Sequence, residues 1–291
     1  MNLQFVTTIA LPLVLILIMF GLGLSLTVED FKRVMNFPRP VIVGLGCQLI
    51  LLPAVAFGLC YLFQLPPAFA IGLVLLSASP GGATSNVFSH LTNGDVALNL
   101  TLTAINSALT AITLPLVTGL ALQLFAEQDQ SIGLQFSKMI EVFLVILVPV
   151  SIGMLVRAKK PVFALKMDRP VRGFSIFALI VIVIGAVTKE WSLLADNIGL
   201  IGWAVLSFNL LSLAVGYLVP KMMKISHDQA VAISFEIGIH NGTLALFVAI
   251  SVLGSTQIAV PAAAYSVLMF FTAGIFSLLL RKSKNSGGAL T

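Results

Sequence analysis

Residues 235–243 read Phe235-Glu236-Ile237-Gly238-Ile239-His240-Asn241-Gly242-Thr243, in the middle of an apolar run that covers about 229–253. A carboxylate, an imidazole, an amide and two glycines at that depth interrupt what would otherwise be one continuous helix. A bilayer core offers no water to unpaired backbone groups, so irregular backbone survives there only where protein or a wet cavity satisfies it. A second apolar run, about 68–90, is broken in the same way by Ser79-Pro80-Gly81-Gly82-Ala83-Thr84-Ser85-Asn86. Paired interruptions in the two halves of a membrane chain point to the binding site of a secondary transporter.

Composition agrees with a lipid solvent. The 291 residues are 58% hydrophobic and 9% charged, against about 25% charged in ordinary soluble domains. Runs of about 20 apolar residues, enough to span a bilayer, recur at about 5–27, 40–63, 68–90, 96–124, 134–156, 172–188, 198–219, 229–253 and 259–280. The expected fold is therefore an all-α integral membrane protein of nine transmembrane helices in a single domain, 1–291. The first run has no basic leader and no small-residue cleavage site, so it is read as a true span rather than a signal peptide.

The formal net charge of +5 is sorted by side rather than gathered for nucleic acid. With nine spans, Lys32, Arg33, Arg39, Arg157, Lys159, Lys160, Lys166, Arg169, Arg172, Lys221, Lys224, Arg281, Lys282 and Lys284 fall on one face, leaving only Lys138 and Lys189 for the other. Short loops rich in Lys and Arg stay cytoplasmic. The amino terminus is thus expected outside and the carboxyl terminus in the cytoplasm. Trp191 and Trp203 suit the outer headgroup belt.

The spacing of features predicts an inverted-topology repeat. The first repeat covers about 5–124 and the second about 134–281, with 282–291 as a flexible tail that includes Asn285-Ser286-Gly287-Gly288. The second span pairs with the seventh, the broken third with the broken eighth, and the fourth with the ninth. Asn86 and Asn241 are read as equivalent. The longest polar segment, Arg157 to Arg172, separates the halves. Pro12, Pro53, Pro115, Pro149 and Pro261 lie in or near spans, where kinks are tolerated. Gly21-Leu22-Gly23 and Gly44-Leu45-Gly46 allow close helix approach. Cys47 and Cys60 lie about 20 Å apart along one helix, too far to bridge, and read as small core residues.

Chemistry concentrates at the breaks. Glu236 costs several kcal/mol at membrane depth unless it faces the interior, where such groups mark ion paths. It could instead pair with His240 one turn later, but Gly238 and Gly242 let the backbone open and aim carbonyls at a cation. A hard monovalent cation wants carboxylate, amide, hydroxyl and carbonyl oxygens, and this region supplies all four. Ser85, Asn86, Asn99 and Thr103 form a second cluster, with Asn99 and Thr103 one turn apart on one face. Alone they would read as interhelical hydrogen bonds; beside a break they read as ligands. Gln48 is ambiguous between the same two roles. Thr101, Asn106, Ser107 and Thr110 are read as packing or a polar seam. Thr84, Asn86, Asn241, Gly242 and Thr243 are placed to contact an anionic group, with no arginine nearby. Lys138 and Glu141 are expected to pair near the outer end of their helix, and Asp95 to cap the fourth span. No phosphate-binding loop, His/Cys metal set or nucleophile triad occurs, so the chain is not read as an enzyme and no cofactor is expected.

At these residues the chain resembles the bile acid:sodium symporter family. The likeness runs over nearly the whole chain through Phe20-Gly21-Leu22-Gly23-Leu24, Pro80-Gly81-Gly82-Ala83-Thr84-Ser85-Asn86-Val87, Gly94-Asp95-Val96-Ala97-Leu98 and Glu236-Ile237-Gly238-Ile239-His240-Asn241. The resemblance implies a core domain with two crossing, unwound helices and a panel domain that rocks against it. It implies four helices in the first repeat and five in the second. It also implies two sodium ions as coupling ions, one held by Ser85, Asn86, Asn99, Thr103 and Glu236. The other would be held by Gln48, Glu236, the carbonyls of Ile237 and Ile239, and His240. Two positions depart from the family pattern: Asn99 stands where a serine is common, and His240 where glutamine is. The expectation is a sodium symporter importing small organic anions, bile-acid-like or small carboxylates, across a bacterial inner or plasma membrane by alternating access. The expected partners are the anion, sodium and the lipid bilayer, with no nucleic acid and no obligate protein partner. The alternatives are a related metabolite efflux permease or a proton-coupled carrier using His240.

Overall fold

The computed structural model of the chain describes residues 11–126 and 136–287. Among them the order of helices is α1 (Leu11–Ser25), α2 (Val28–Lys32), α3 (Pro38–Leu62), α4 (Pro67–Ser77), α5 (Ala83–Leu91), α6 (Val96–Phe125) and α7 (Phe136–Lys159). There follow α8 (Pro161–Lys189), α9 (Trp191–Met222), α10 (His227–Gly238), α11 (Gly242–Val252) and α12 (Thr256–Gly287). No strand occurs among the described residues; their one extended contact is an isolated antiparallel bridge between Gly81 and His240. Among the described residues four helices are long and apolar enough to cross a membrane: α3, α6, Ala195–Met222 of α9 and Thr256–Arg281 of α12. Pro12–Ser25 and Val28–Met35 together make a fifth, bent by 70°.

The surface differs from that of a water-soluble protein: large apolar side chains are exposed around an apolar core that also encloses polar groups. Ile42, Leu62 and Phe271 are 68%, 73% and 69% exposed, while Asn99, Thr103, Asn106, Asn209 and Glu236 are all 0% exposed. Such a surface is stable only against hydrocarbon, and buried polar groups then have to satisfy one another. Trp191 and Trp203 are exposed, as a headgroup belt requires.

Small residues set the closest helix contacts. A Cβ on Gly23 of α1 would lie 2.2 Å from the Val150 carbonyl of α7, and one on Gly153 of α7 would lie 2.4 Å from the Phe20 carbonyl. In the other glycine pair Gly44 packs on Leu102, but Gly46 has nothing against it. Helices α1, α7 and α8 pack on one another. The remaining long helices gather elsewhere, α9 along α10, α4 along α12 and α6, and α3 against α4, α6 and α9. The two groups meet where α6 touches α7, α8 touches α12 and α1 touches α11.

Several expectations change. Arg157–Arg172, read as a polar segment between spans, is helical except at Lys160, which alone separates α7 from α8. Pro161 explains the break, since proline disfavours helix in the residue before it yet starts a new helix well. Helix α12 continues through Gly287, whereas a flexible tail was expected from 282; residues 288–291 lie outside the described residues. The start of the first run, residues 5–10, and residues 134–135 of the fifth also lie outside them, as do the side chains of Lys138 and Glu141. Asp95 does cap α6, its carboxylate accepting from the Leu98 N–H at 3.0 Å. Helix α3 contains a π-helical turn, Cys47–Leu51, two residues ahead of Pro53. Proline cannot donate to the carbonyl four residues back, and a widened turn at that point accommodates its ring.

Candidate functional site at the crossing of the two breaks

Helix α4 stops at Ser77, and Pro80, with no N–H and a restricted predecessor, keeps the chain from resuming it. The next helix, α5, starts after Gly82 in extended backbone. Helix α10 is capped by Ser226, whose hydroxyl accepts from the Gln229 N–H, and ends at Gly238. Ile239 leaves the helical region at φ −118° and ψ 88°, and Asn241 caps α11 by accepting from the Leu244 N–H at 3.1 Å. The two breaks cross and satisfy each other. Asn241 N–H donates to the Pro80 carbonyl at 2.8 Å, and Gly82 N–H donates to the Ile239 carbonyl at 3.1 Å. A local two-fold relates these bonds, carrying Pro80 to Ile239 and Gly82 to Asn241. Gly82 and Asn241 are the N-caps of the helices that follow. Asn86 is therefore not the equivalent of Asn241; it lies four residues beyond the matching position.

Glu236 stands in the last turn of α10, fully buried. Its Oε2 accepts from the hydroxyls of Ser85 (2.9 Å) and Thr103 (2.6 Å), and its Oε1 from the Asn106 amide at 3.4 Å. Ser85 is also 3.0 Å from Asn99 Oδ1, and the Asn99 amide donates to the Ala232 carbonyl at 2.8 Å. Asn99, Thr103 and Asn106 share one face of α6 through their three- and four-residue spacing. Gly81 makes room: a Cβ there would lie 2.4 Å from the Glu236 carboxyl carbon. Ser85, Asn99, Thr103 and Glu236 are thus brought together. Asn86 is half-buried, its Oδ1 enclosed without a partner, and makes no hydrogen bond to this group among the described residues.

His240 does not pair with Glu236. The helix ends between them, which removes the one-turn adjacency. The His240 Nδ1 lies 3.0 Å from the Ser79 carbonyl. That carbonyl also receives the Gln48 amide at 2.9 Å, which donates to the Ser77 carbonyl as well at 3.1 Å. A carbonyl only accepts, so both side chains must present a hydrogen to it. What remains is Gln48 Oε1 and His240 Nε2, both buried and without a partner. Gln48 and His240 are therefore joined through the Ser79 carbonyl.

Among the residues expected to face an anion, Thr84, Asn86 and Asn241 are half-buried around the crossing. Asn241 commits its Oδ1 to the cap. Gly242 and Thr243 are turned inward, Gly242 so tightly that a Cβ would lie 1.8 Å from the Ser266 hydroxyl of α12. Residues not expected at the site also converge here, Asn106 among them, which was read as packing or a polar seam. Asn106 reaches Glu236; Asn209 of α9 and Tyr265 of α12 donate to the Gly238 carbonyl at 3.3 and 2.8 Å; Phe208 stacks on His240 with ring centres 5.7 Å apart. Asn106 was legible as a seven-residue repeat of Asn99, and Asn209 as a lone amide in an apolar run. No group of three or more His, Cys, Asp or Glu capable of holding a transition metal occurs among the described residues. The donor set is oxygen-rich with one carboxylate, which suits a hard monovalent cation.

The profile of the Sodium Bile acid symporter family matches residues 12–197. The "Uncharacterized sodium-dependent transporter YocS" of Bacillus subtilis (strain 168) is 32% identical over 247 residues, covering 84% of this chain and 74% of that protein. The "P3 protein" of Homo sapiens is 32% identical over 222 residues, 75% of this chain and 46% of that one. The "Probable sodium/metabolite cotransporter BASS3, chloroplastic" of Oryza sativa subsp. japonica is 30% identical over 268 residues, 91% of this chain and 61% of that one. The chain thus spans about half of the human relative and most of the bacterial one.

Proposed function

Because the chain belongs to the Sodium Bile acid symporter family, we propose that it is a sodium-coupled secondary transporter importing small organic anions by alternating access. The observation that carries this reading is the buried Glu236 carboxylate, ringed by Ser85, Thr103 and Asn106 where two broken helices cross. A lone charge in the membrane interior is costly unless it is neutralised. A sodium ion among Ser85, Asn86, Asn99, Thr103 and Glu236 would neutralise it, the hydroxyls turning their lone pairs inward. A second ion would take Gln48 Oε1, Glu236, the carbonyls of Ile237 and Ile239, and His240 Nε2. The two unpartnered acceptors already present there support that assignment.

With the carboxylate compensated, the crossing becomes attractive to an anion such as a small carboxylate or a bile-acid-like molecule. Thr84, Asn86, Asn241, Gly242 and Thr243 would hold it through N–H and hydroxyl donors. The carrier would comprise nine spans arranged as inverted repeats, which the two-fold exchange between the breaks and the matched caps at Gly82 and Asn241 support. The α1, α7 and α8 group would serve as the panel against which the other helices rock. The membrane would be a bacterial inner or plasma membrane.

Reconstituted proteoliposomes test the reading. An inward sodium gradient is expected to drive uptake of one or more labelled small carboxylates or bile acids, with potassium as the control. Glu236→Gln is expected to lower sodium-driven uptake at least about tenfold, equivalent to ~1.4 kcal/mol. Uptake indifferent to sodium, or unchanged in that variant, would overturn it.

A further inference from the structure

Asn209 and Gln48 are placed alike in the two halves of the chain. Gln48, in the π-helical turn of α3, donates to carbonyls at the end of α4, Ser79 among them. Asn209, in α9, donates through Nδ2 to the Gly238 carbonyl at the end of α10. The two-fold that carries Pro80 to Ile239 and Gly82 to Asn241 also carries Ser79 to Gly238. Each amide therefore grips the matching carbonyl of its own break. The orientation of both is set by chemistry, because a carbonyl cannot donate and the NH2 must face it. Each then holds its oxygen, Gln48 Oε1 or Asn209 Oδ1, buried without a partner.

Two hydroxyls lie beside Asn209, each with its hydrogen committed to backbone. Tyr265 gives its hydroxyl hydrogen to the Gly238 carbonyl at 2.8 Å, and Ser212 gives its own to the Phe208 carbonyl at 2.7 Å. The side chains of Asn209 and Ser212 both interact with the Tyr265 hydroxyl. All three residues are completely buried. With the hydroxyl hydrogens spent on backbone, the cluster holds one unpaired acceptor, Asn209 Oδ1, beside the Tyr265 and Ser212 hydroxyl oxygens, and no acid. Leaving such an acceptor unpaired in an apolar interior is costly, and a weakly charged hard cation relieves it without proton chemistry.

We propose that Asn209 Oδ1, with the Tyr265 and Ser212 hydroxyl oxygens, forms a further binding position for a hard monovalent cation, the second-half counterpart of the position Gln48 serves in the first. The proposal rests on the reading of Gln48 as a sodium ligand. A cation here ties α9 and α12 to the end of α10, so that occupancy steadies the break.

Equilibrium binding of radioactive sodium to the purified, detergent-solubilised protein tests it, with Gln48→Leu as the reference. Asn209→Leu is expected to lower the number of sodium ions bound at saturation by one. Tyr265→Phe, which keeps the ring and its packing, is expected to raise the half-saturating sodium concentration of one class of sites by about tenfold. Wild-type numbers and half-saturation in both variants would overturn the proposal, since a water molecule would then fill the cluster. If Asn209→Leu fails to fold, the Tyr265→Phe curve decides alone. An unchanged Gln48→Leu count would remove the assignment of Gln48, while a loss of one ion in Asn209→Leu would still establish the further site.

Discussion

Gly81 shows how much of the site depends on a missing side chain. Its α-hydrogen faces the Glu236 carboxylate, and a methyl there would sit 2.4–2.5 Å from the carboxyl carbon and both oxygens. Real Cβ atoms do not approach that closely, so Gly81→Ala must push Glu236 off Ser85 and Thr103. The crossing itself is backbone-to-backbone and should persist. Gly81→Ala is therefore expected to keep a folded protein but raise the sodium concentration for half-maximal uptake about tenfold or more, ~1.4 kcal/mol. An unchanged sodium curve would mean that the carboxylate is not the cation ligand. His240 makes the opposite prediction. An imidazole nitrogen is a poorer partner for sodium than an amide oxygen, while a glutamine can still donate to the Ser79 carbonyl. His240→Gln is expected to lower the half-saturating sodium concentration about threefold, by ~0.7 kcal/mol. A rise instead would show that the ring contributes through its stack on Phe208 rather than as a ligand.

Among the elements, α4 and α12 meet most tightly through Gly72, where a Cβ would lie 2.1 Å from the Ile258 carbonyl. Backbone cannot move aside as a flexible side chain can. Gly72→Ala is thus expected to cost about 1–3 kcal/mol, read as a lower unfolding temperature in detergent with the sodium dependence of any remaining uptake unaltered. A shift in sodium affinity without loss of stability would instead couple this contact to the site. The two breaks were legible in the sequence because proline, glycine and polar residues have few other uses inside apolar runs. Glu236, Ser85, Asn99 and Thr103 could be grouped for the same reason. The α7–α8 break was not legible, since Lys, Leu, Met and Ala suit a helix as well as a polar loop and only Pro161 marks it. The π-helical turn holding Gln48 answers to Pro53 and to tertiary contact. Asn209 and Tyr265 were missed because one polar residue in a span looks the same whether it joins helices or shapes a site. Asn86 was paired with Asn241 by its place in the break, whereas the capping geometry pairs Gly82 with it.

Over the whole molecule, the apolar exterior suits a bilayer, and the distribution of Lys and Arg predicts which way the molecule sits in it. Met35, 86% exposed beside Lys32 and Arg33, belongs to the basic side. Gln257, exposed at the start of α12 beside the Lys189 ammonium that donates to Thr256 at 3.0 Å, is expected on the other. Placing Lys32, Arg33 and Arg39 outside would work against the tendency of short basic loops to remain cytoplasmic. The native thiols do not interfere, since Cys47 and Cys60 are 1% and 2% exposed. In intact cells a membrane-impermeant maleimide is therefore expected to label Gln257→Cys at once and Met35→Cys only after the membrane is opened. The reverse pattern would invert the molecule. Sodium arriving from outside would then meet the α5 side of the crossing first, and the direction of transport proposed here would have to be reversed with it.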